Sequence, residues 1–206
     1  MNNAAERIRR ELMIRVVRDY YAGNLADKID RIPYELRPRT MEASRCCIYK
    51  DRAVLKYRLM ALLGFGFEDE TDEAMPLREY LARAEAETRP PDKVLTISPV
   101  ACHGCIESQY LVTNACRGCF ARPCTFVCPR KAIEVRDQKA VIDRHKCIDC
   151  GKCVGVCPYH AIIRTPIPCV ESCPVGALAK DESGAMTINF DRCISCGQCF
   201  KACPFS

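Results

Sequence analysis

The sequence lacks a long hydrophobic run, an export signal and a basic patch interleaved with aromatic residues. No window approaches the roughly 18 apolar residues that a membrane-spanning helix needs. Residues 1–21 carry Glu6 and Glu11 among their arginines, with no apolar stretch behind them. The pair Arg9 and Arg10 is followed at once by Glu11, which argues against a twin-arginine signal. We therefore expect a cytoplasmic protein with no membrane span and no nucleic-acid partner.

Cysteine, in contrast, is in excess, at 18 of 206 residues. Such a count is compatible with a secreted disulfide scaffold, with zinc sites or with iron–sulfur ligation. A disulfide scaffold needs an oxidising compartment, and the chain shows no signal that would take it there. In a reducing cytoplasm, clustered thiols usually bind metal. The hydrophobic content of 49% and charged content of 28% are ordinary for a globular protein.

The cysteines divide the chain into two regions. Residues 1–92 contain two of them, and residues 93–206 contain sixteen. The Pro90-Pro91-Asp92 step marks the boundary, because proline disfavours helix in the residue before it. We predict a helical N-terminal region at 1–92 and a cluster-binding region at 93–206.

Apolar residues in the N-terminal region recur at helical spacing. They predict a helix from Ile8 to Tyr20 that ends near Gly23, a second over residues 51–63 and a third from Pro76 to Thr88. Between the first two, Arg31 to Thr40 is expected to be irregular. The apolar stripes indicate either core packing or a docking surface for a partner domain. The sequence leaves both interpretations open.

The sixteen remaining cysteines fall into four runs. The pattern C-x2-C-x2-C-x3-C-P is that of a bacterial-type [4Fe–4S] site. The runs are Cys116-x2-Cys119-x4-Cys124-x3-Cys128-Pro129; Cys147-x2-Cys150-x2-Cys153-x3-Cys157-Pro158; Cys193-x2-Cys196-x2-Cys199-x3-Cys203-Pro204; and a divided set, Cys102-x2-Cys105 with Cys169-x3-Cys173-Pro174. Sixteen thiols in sets of four predict four [4Fe–4S] clusters, and at least two.

In two-cluster ferredoxins the cysteine before proline binds the neighbouring cluster. This crossing predicts a ligand set for each site. The sets are Cys116, Cys119, Cys124 and Cys157 (cluster 1); Cys147, Cys150, Cys153 and Cys128 (cluster 2); Cys193, Cys196, Cys199 and Cys173 (cluster 3); and Cys102, Cys105, Cys169 and Cys203 (cluster 4). Each oxidised cluster with its thiolates carries a charge of about −2, so the formal charge of +5 overstates how basic the loaded protein would be.

A small residue and then an aliphatic residue follow three of the Cys-Pro steps, as Ala132-Ile133, Ala161-Ile162 and Ala177-Leu178. This tail predicts a helical turn packed on a cluster. Alternating residues then predict two hairpins, over 133–142 and 178–190. The repeated unit indicates an α+β fold, in which a helical segment precedes tandem ferredoxin-like dicluster modules. The central module spans 113–165, and a second, divided module combines 166–206 with 99–106.

Several alternatives remain open at this stage. Structural zinc uses paired C-x2-C units, but it needs no Cys-Pro step after them. A histidine could replace a thiolate, with His103, His145 and His160 as candidates, although four sets of four cysteines need no substitute and so favour solvent-facing or packing roles. Cys46 and Cys47 have no partners nearby in the sequence, and we expect them to be buried, inert thiols.

Three segments resemble the N-terminal ferredoxin region of group B [FeFe]-hydrogenases. They are RCCIYKDRA at residues 45–53, CRGCFARPC at 116–124 and CPYHAI at 157–162. The resemblance implies an electron relay to a catalytic domain that holds the H-cluster, whose cysteine motifs are absent from these residues. It also implies two partners, that catalytic domain and a soluble redox carrier such as ferredoxin.

The last Cys-Pro step stops at Ser206, before the small and aliphatic residues that follow the other three. We therefore expect a fragment or a truncated reading frame of an oxidoreductase, with no catalytic residues of its own. One alternative is a free-standing polyferredoxin or the iron–sulfur subunit of another oxidoreductase. Another is a structural zinc-binding protein.

Overall fold

The computed structural model describes residues 4–87, 95–102, 104–106 and 109–205, in two compact units. The first unit joins Met1–Gly104 with Ser172–Ser206, and the second is Cys105–Glu171. The predicted boundary at Pro90 to Asp92 lies outside the described residues. The predicted domain limits therefore stay a prediction.

Helices make up the N-terminal part of the first unit. They are α1 (Ala4–Tyr21), α2 (Leu25–Lys28), α3 (Ile32–Leu36), α4 (Ile48–Leu62) and α5 (Leu77–Ala86), with 3₁₀ turns at Ile29–Arg31 and Phe67–Asp69. Helices α1, α4 and α5 confirm the three that periodicity predicts. The predicted irregular connection is wrong over α3. Pro33 lies in the first turn of that helix, where its missing N–H removes no intrahelical hydrogen bond.

The core of this part is formed where these helices face one another. Its buried residues are Leu12, Leu25, Ile29, Ile32, Leu36, Leu55, Leu59, Met60, Leu77, Tyr80 and Leu81. On α1, Leu12 is buried and Ile8 and Val16 pack against the cluster, whereas Val17 and Tyr20 are exposed. Core packing therefore accounts for one narrow strip of the apolar face of α1.

The second unit is built from short elements. They are β1 (Gln109–Val112), α6 (Pro123–Val127), β2 (Ile133–Arg136), β3 (Lys139–Ile142), α7 (Lys152–Val156), β4 (Ile162–Thr165) and α8 (Pro168–Glu171). Strands β2 and β3 form the predicted hairpin, with Ile133 opposite Ile142. Its two turn residues, Asp137 and Gln138, both have positive φ, of 47° and 58°. That geometry is typical of a type I′ turn, whose twist matches that of the paired strands.

The other sheet of this unit does not follow from the sequence patterns. Strand β4 pairs antiparallel with β1, and Val112 lies opposite Ile162. Two four-residue strands separated by a whole cysteine-rich segment carry too little local signal to be paired from sequence.

The helical turns predicted after the Cys-Pro steps are wrong. The backbone N–H of Lys131 bonds to the carbonyl of Cys128, and His160 bonds likewise to Cys157, so each step forms an isolated turn. The short helices α6 and α7 instead lie before these steps, and each ends at the cysteine that precedes proline. The reason is the proline, which cannot continue a helix from the residue before it.

The C-terminal part of the first unit repeats the pattern with β5 (Leu178–Lys180), β6 (Met186–Ile188) and α9 (Gln198–Ala202). Strands β5 and β6 pair antiparallel as predicted. The N-terminal helices contact this part. The Arg9 guanidinium lies 4.2 Å from the ring centre of Phe200, and Arg45 and Arg58 both donate to the carbonyl of Phe205, at 3.0 and 3.4 Å. The helical segment and residues 172–205 thus belong to one folded unit.

Across the described ranges, no helix has both the length and the apolar character required to cross a membrane.

Candidate functional site

A cavity in the second unit gathers the four cysteines predicted for cluster 1. Its lining includes Cys116, Cys119, Cys124 and Cys157. Three of these belong to the first run, and Cys157 is the last cysteine of the second. This grouping is the one that crossed ligation predicts, because there the thiol before proline binds the neighbouring cluster.

A second cavity gathers the four cysteines predicted for cluster 2. Its lining includes Cys128, Cys147, Cys150 and Cys153, together with the apolar side chains of Ile133 and Ile142. Cys128 comes from the first run, so the exchange between the two sites is reciprocal. Each cavity therefore presents four thiols, the number that a [4Fe–4S] cluster binds.

Left-handed backbone lets the cysteine loops curl around these cavities. In the second run Asp149 and Gly151 have φ of 51° and 72°, and Ser195 and Gly197 repeat this in the third, at 52° and 70°. Gly118 in the first run has φ of 56°, and a Cβ there would lie 1.8 Å from the carbonyl oxygen of Gln138. Only glycine fits at that position.

The tails after the Cys-Pro steps supply hydrogen bonds to sulfur. The backbone N–H of Ala132 donates to Cys128 Sγ at 3.2 Å, Ala161 to Cys157 Sγ at 3.4 Å, and Ala177 to Cys173 Sγ at 3.2 Å. The left-handed residues that make these turns are Lys131, His160 and Gly176. Donors aimed at sulfur stabilise thiolates and tune the potential of an attached cluster, so these residues suit an iron–sulfur site.

The aliphatic residues of the tails are buried beside the same sulfurs. Ile133 is 6% exposed and Ile162 is 2% exposed. Both belong to the small core of the second unit, which also contains Cys124 and Ala140. The tail pattern thus positions one sulfur and excludes water from it.

Burial opposes ionisation of the deepest thiols. It raises the pKa of Cys124 and of Cys153, and the nearby thiols of Cys157 and Cys128 raise them further. Hydrogen bonds from backbone N–H groups, that of Ala177 above all, lower the pKa of Cys173. Cationic iron favours thiolate and so offsets the burial of such groups.

The cysteines predicted for cluster 3 lie in the first unit. Burial raises the pKa of Cys199, and the thiols of Cys173 and Cys193 add to the rise because they lie near it. The structure thus brings these three together. Cys196, the fourth predicted ligand, is exposed in the loop between them.

The cysteines predicted for cluster 4 are divided between the units. Cys102 and Cys203 belong to the first, and Cys105 and Cys169 to the second. This ligand set therefore stays a prediction. Of the candidate histidines, His103 lies outside the described residues, whereas His145 and His160 are exposed.

The expectation that Cys46 and Cys47 are buried is wrong. Both are exposed, and their sulfurs lie 3.9 Å apart. Cys47 is the residue before helix α4, so its side chain lies at the open end of the helix rather than on the packed face.

Tyr110 is a site residue that the sequence analysis missed. It lines the second cavity, and a Cβ at Gly151 would lie 2.7 Å from its hydroxyl oxygen. It lies on β1, a strand that no pattern predicted. The run from Tyr110 to Val112 is rich in residues that favour strands, and this enrichment could have predicted β1.

Among the described residues, no three His, Cys, Asp or Glu side chains meet closely enough to hold one metal ion. In a [4Fe–4S] cluster each thiolate binds a different iron, so its ligands need not converge on one point.

Comparisons with known proteins find two matching family models. Residues 168–206 match a 4Fe-4S dicluster domain, and residues 139–162 match a 4Fe-4S binding domain. The first contains six of the predicted ligands and the second contains four. These matches, with the 18 cysteines, show that the chain binds multiple [4Fe–4S] clusters, at least two.

Three curated relatives illustrate the range of similarity. A 7Fe ferredoxin from Hydrogenibacillus schlegelii is 42% identical over 53 residues, which are 26% of this chain and 68% of the ferredoxin. The NrfC homolog of Haemophilus influenzae is 34% identical over 88 residues, 32% of this chain and 39% of that protein. A putative iron-sulfur subunit of dimethyl sulfoxide reductase from Halobacterium salinarum is 44% identical over 59 residues, 28% of this chain and 22% of that protein. The chain thus spans less than half the length of the last two.

Proposed function

The chain belongs to the 4Fe-4S ferredoxin family, and on that premise we propose that it relays single electrons through four [4Fe–4S] clusters. The observation that carries the proposal is the reciprocal exchange in the second unit. Cys157 faces the cavity of Cys116, Cys119 and Cys124, and Cys128 faces that of the other run. Two sites that share ligand runs lie close together, as electron transfer between clusters requires.

The residues of this chain have three roles in the relay. The sixteen thiols hold the clusters, which accept and release one electron at a time when bound. The N–H groups of Ala132, Ala161 and Ala177 stabilise sulfur charge, which favours the reduced state and raises the potential. Buried aliphatic residues such as Ile162 keep water from the sulfurs and set the potential through burial.

Anaerobic purification followed by metal analysis tests this proposal. Four clusters require about sixteen irons and sixteen sulfides per chain, and the reduced protein should give electron paramagnetic resonance signals of interacting clusters. About twelve irons would remove cluster 4 from the proposal. Zinc with little iron would favour a structural zinc-binding protein and would overturn the proposal of an electron relay.

We propose, as the partner, the catalytic domain of a group B-like [FeFe]-hydrogenase, with a soluble carrier such as ferredoxin on the other side, in the cytoplasm. The support is the resemblance of residues 45–53, 116–124 and 157–162. Of these, the segment around Cys46 and Cys47 is the most distinctive, because cluster runs are common to ferredoxins. The coding sequence that flanks the region encoding residues 1–206 tests the proposed hydrogenase partner. Cysteine motifs for an H-cluster in the same frame would support it, and their absence there would overturn it.

A second candidate is the iron–sulfur subunit of another oxidoreductase, or a free-standing polyferredoxin. The matches to the NrfC homolog and to the putative dimethyl sulfoxide reductase subunit favour it. Affinity purification of the chain from its own cells under anaerobic conditions separates the candidates. Recovery with a hydrogenase supports the first, recovery with a different reductase supports the second, and recovery alone supports a free-standing carrier.

A further inference from the structure

A cavity of about 430 Å³ lies in the first unit, and its described lining includes none of the thiols of clusters 1 and 2. The start of α1, the segment before α4, one face of α4 and the C-terminal residues enclose it. Its described lining is Ala4, Ala5, Ile8, Arg37, Ser44, Arg45, Cys46, Lys50, Asp51, Val54, Leu55, Arg58, Pro204 and Phe205. The volume is in the range of small-molecule sites.

The charge of this lining is strongly unbalanced. It includes four cationic side chains, those of Arg37, Arg45, Lys50 and Arg58, and one carboxylate, that of Asp51. The carboxylate is 4% exposed and already engaged. It accepts hydrogen bonds from the backbone N–H and hydroxyl of Ser44, at 2.8 and 3.0 Å, and Arg45 lies 3.8 Å away. Asp51 therefore cannot neutralise all four cations.

Arg58 is the cation whose charged form is most disfavoured by its surroundings. Burial, together with the neighbouring Arg45, Arg9 and Arg37, lowers its pKa to about 10. It stays protonated at neutral pH. Among its described contacts, Nη2 donates to the carbonyl of Phe205 at 3.4 Å. A guanidinium has five N–H donors, so Arg58 can hold an added anion in two-pronged fashion.

We propose that this cavity binds a small molecule that carries phosphate or carboxylate groups. The four cations would hold the anionic groups, since guanidinium matches the geometry of both. The apolar side chains of Ile8, Val54 and Leu55 would pack against the remainder of the ligand. The proposal does not depend on the electron relay, and the two can fail separately.

Cys46 provides a reporter, because it lines the cavity and its side chain is exposed. The experiment uses the anaerobic, iron-loaded chain, in which ligated thiols are protected. The alkylation rate of Cys46 is measured by peptide mass spectrometry with glucose 6-phosphate, with glutarate, or with potassium chloride at the same ionic strength. We expect at least one of the two anions, but not chloride, to slow alkylation about tenfold at saturation.

Three variants make the result specific. Lys50→Gln changes an exposed residue and should leave the fold intact, and Arg58→Gln changes a half-buried cation. Each variant should raise the anion concentration that gives half-maximal protection of Cys46 about tenfold. This is the loss of affinity expected when one charge-assisted contact is removed. Arg144→Gln, at an exposed arginine of the second unit, is the matched control and should bind as the parent does.

Each outcome of the Cys46 alkylation experiment either supports or overturns the proposed anion site. Protection by glucose 6-phosphate alone identifies phosphate as the ligand group, and protection by glutarate alone identifies carboxylate. Equal protection by chloride, or none by either anion, overturns the proposal. An altered paramagnetic signal in Arg58→Gln without any anion protection also overturns it, and would assign these cations to the cluster at Cys203.

Discussion

Cys116 and Cys157 line one cavity although they belong to different cysteine runs, whereas Cys128, from the same run as Cys116, lines another. Crossed ligation therefore predicts how paired substitutions combine. The double variant Cys116→Ala with Cys157→Ala removes ligands of one cluster and should lose about four irons. Cys116→Ala with Cys128→Ala removes ligands of two clusters and should lose about eight.

Iron analysis of both double variants, purified anaerobically beside the parent, checks this prediction. The two proteins differ from the parent by the same number and type of substitutions, so each is the control for the other. The reversed result, with the larger loss in the Cys116 and Cys157 pair, would mean that each run holds its own cluster.

Gly118 should not tolerate a side chain. Its φ of 56° disfavours any other residue, and an added Cβ would lie 1.8 Å from a backbone oxygen that cannot swing away. We expect Gly118→Ala to lose cluster 1, with about four fewer irons per chain. Gly155→Ala is the control, because no atom beyond its own helix and chain neighbours lies within 4 Å of its added Cβ, and alanine favours its helix. Full iron content in Gly118→Ala would contradict the loop geometry.

Removal of iron should affect the two units unequally. The second unit has a small core, whose buried residues are Cys124, Ile133, Ala140 and Ile162, whereas eleven buried residues form the core of the N-terminal helices. Without its clusters, so small a core cannot offset the entropy of folding. Hydrogen–deuterium exchange after anaerobic chelation should show lost protection over residues 109–165 and retained protection in α1, α4 and α5. Equal loss in both would indicate that the helices depend on iron as well.

Cys47 should ionise more readily than an ordinary thiol. The nearby backbone N–H of Lys50, then the Cys46 thiol and the N–H of Tyr49, favour its thiolate form and lower its pKa. Because the lowered pKa favours thiolate, its alkylation rate should reach half its maximum at a lower pH than that of an ordinary exposed thiol. Alkylation of the folded chain at several pH values, with Cys46 and Cys47 distinguished by fragmentation, gives the midpoint. A synthetic peptide of residues 44–51 is the control, and an equal or higher midpoint in the folded chain would count against the prediction.

Features with a local cause could be predicted from sequence. The three long helices follow from apolar spacing, and the hairpins follow from strand alternation around Asp137-Gln138 and around Ser183-Gly184. The grouping of Cys157 with Cys116 could also be predicted. Cys157 is followed by proline, and in ferredoxins the cysteine before proline binds the neighbouring cluster.

Features that depend on distant residues could not be predicted. Strand β1 exists because β4 pairs with it, and Tyr110 reaches the second cavity only through that pairing. The exposure of Cys46 and Cys47 depends on where α4 begins, and a residue at a helix end is not constrained by the apolar repeat. The cationic cavity combines Ile8, Arg58 and Phe205, which are far apart in the chain and share no motif.

The first unit is discontinuous along the chain, because it needs residues before 105 and residues after 171. During synthesis on the ribosome, the whole of the second unit emerges before the first has all its parts. The predicted clusters 1 and 2 can thus be inserted while the N-terminal helices still lack β5, β6 and α9. The predicted clusters 3 and 4 must wait, since Cys199 and Cys203 follow the second unit in the chain. Maturation would then follow the order of translation, with the central clusters formed first.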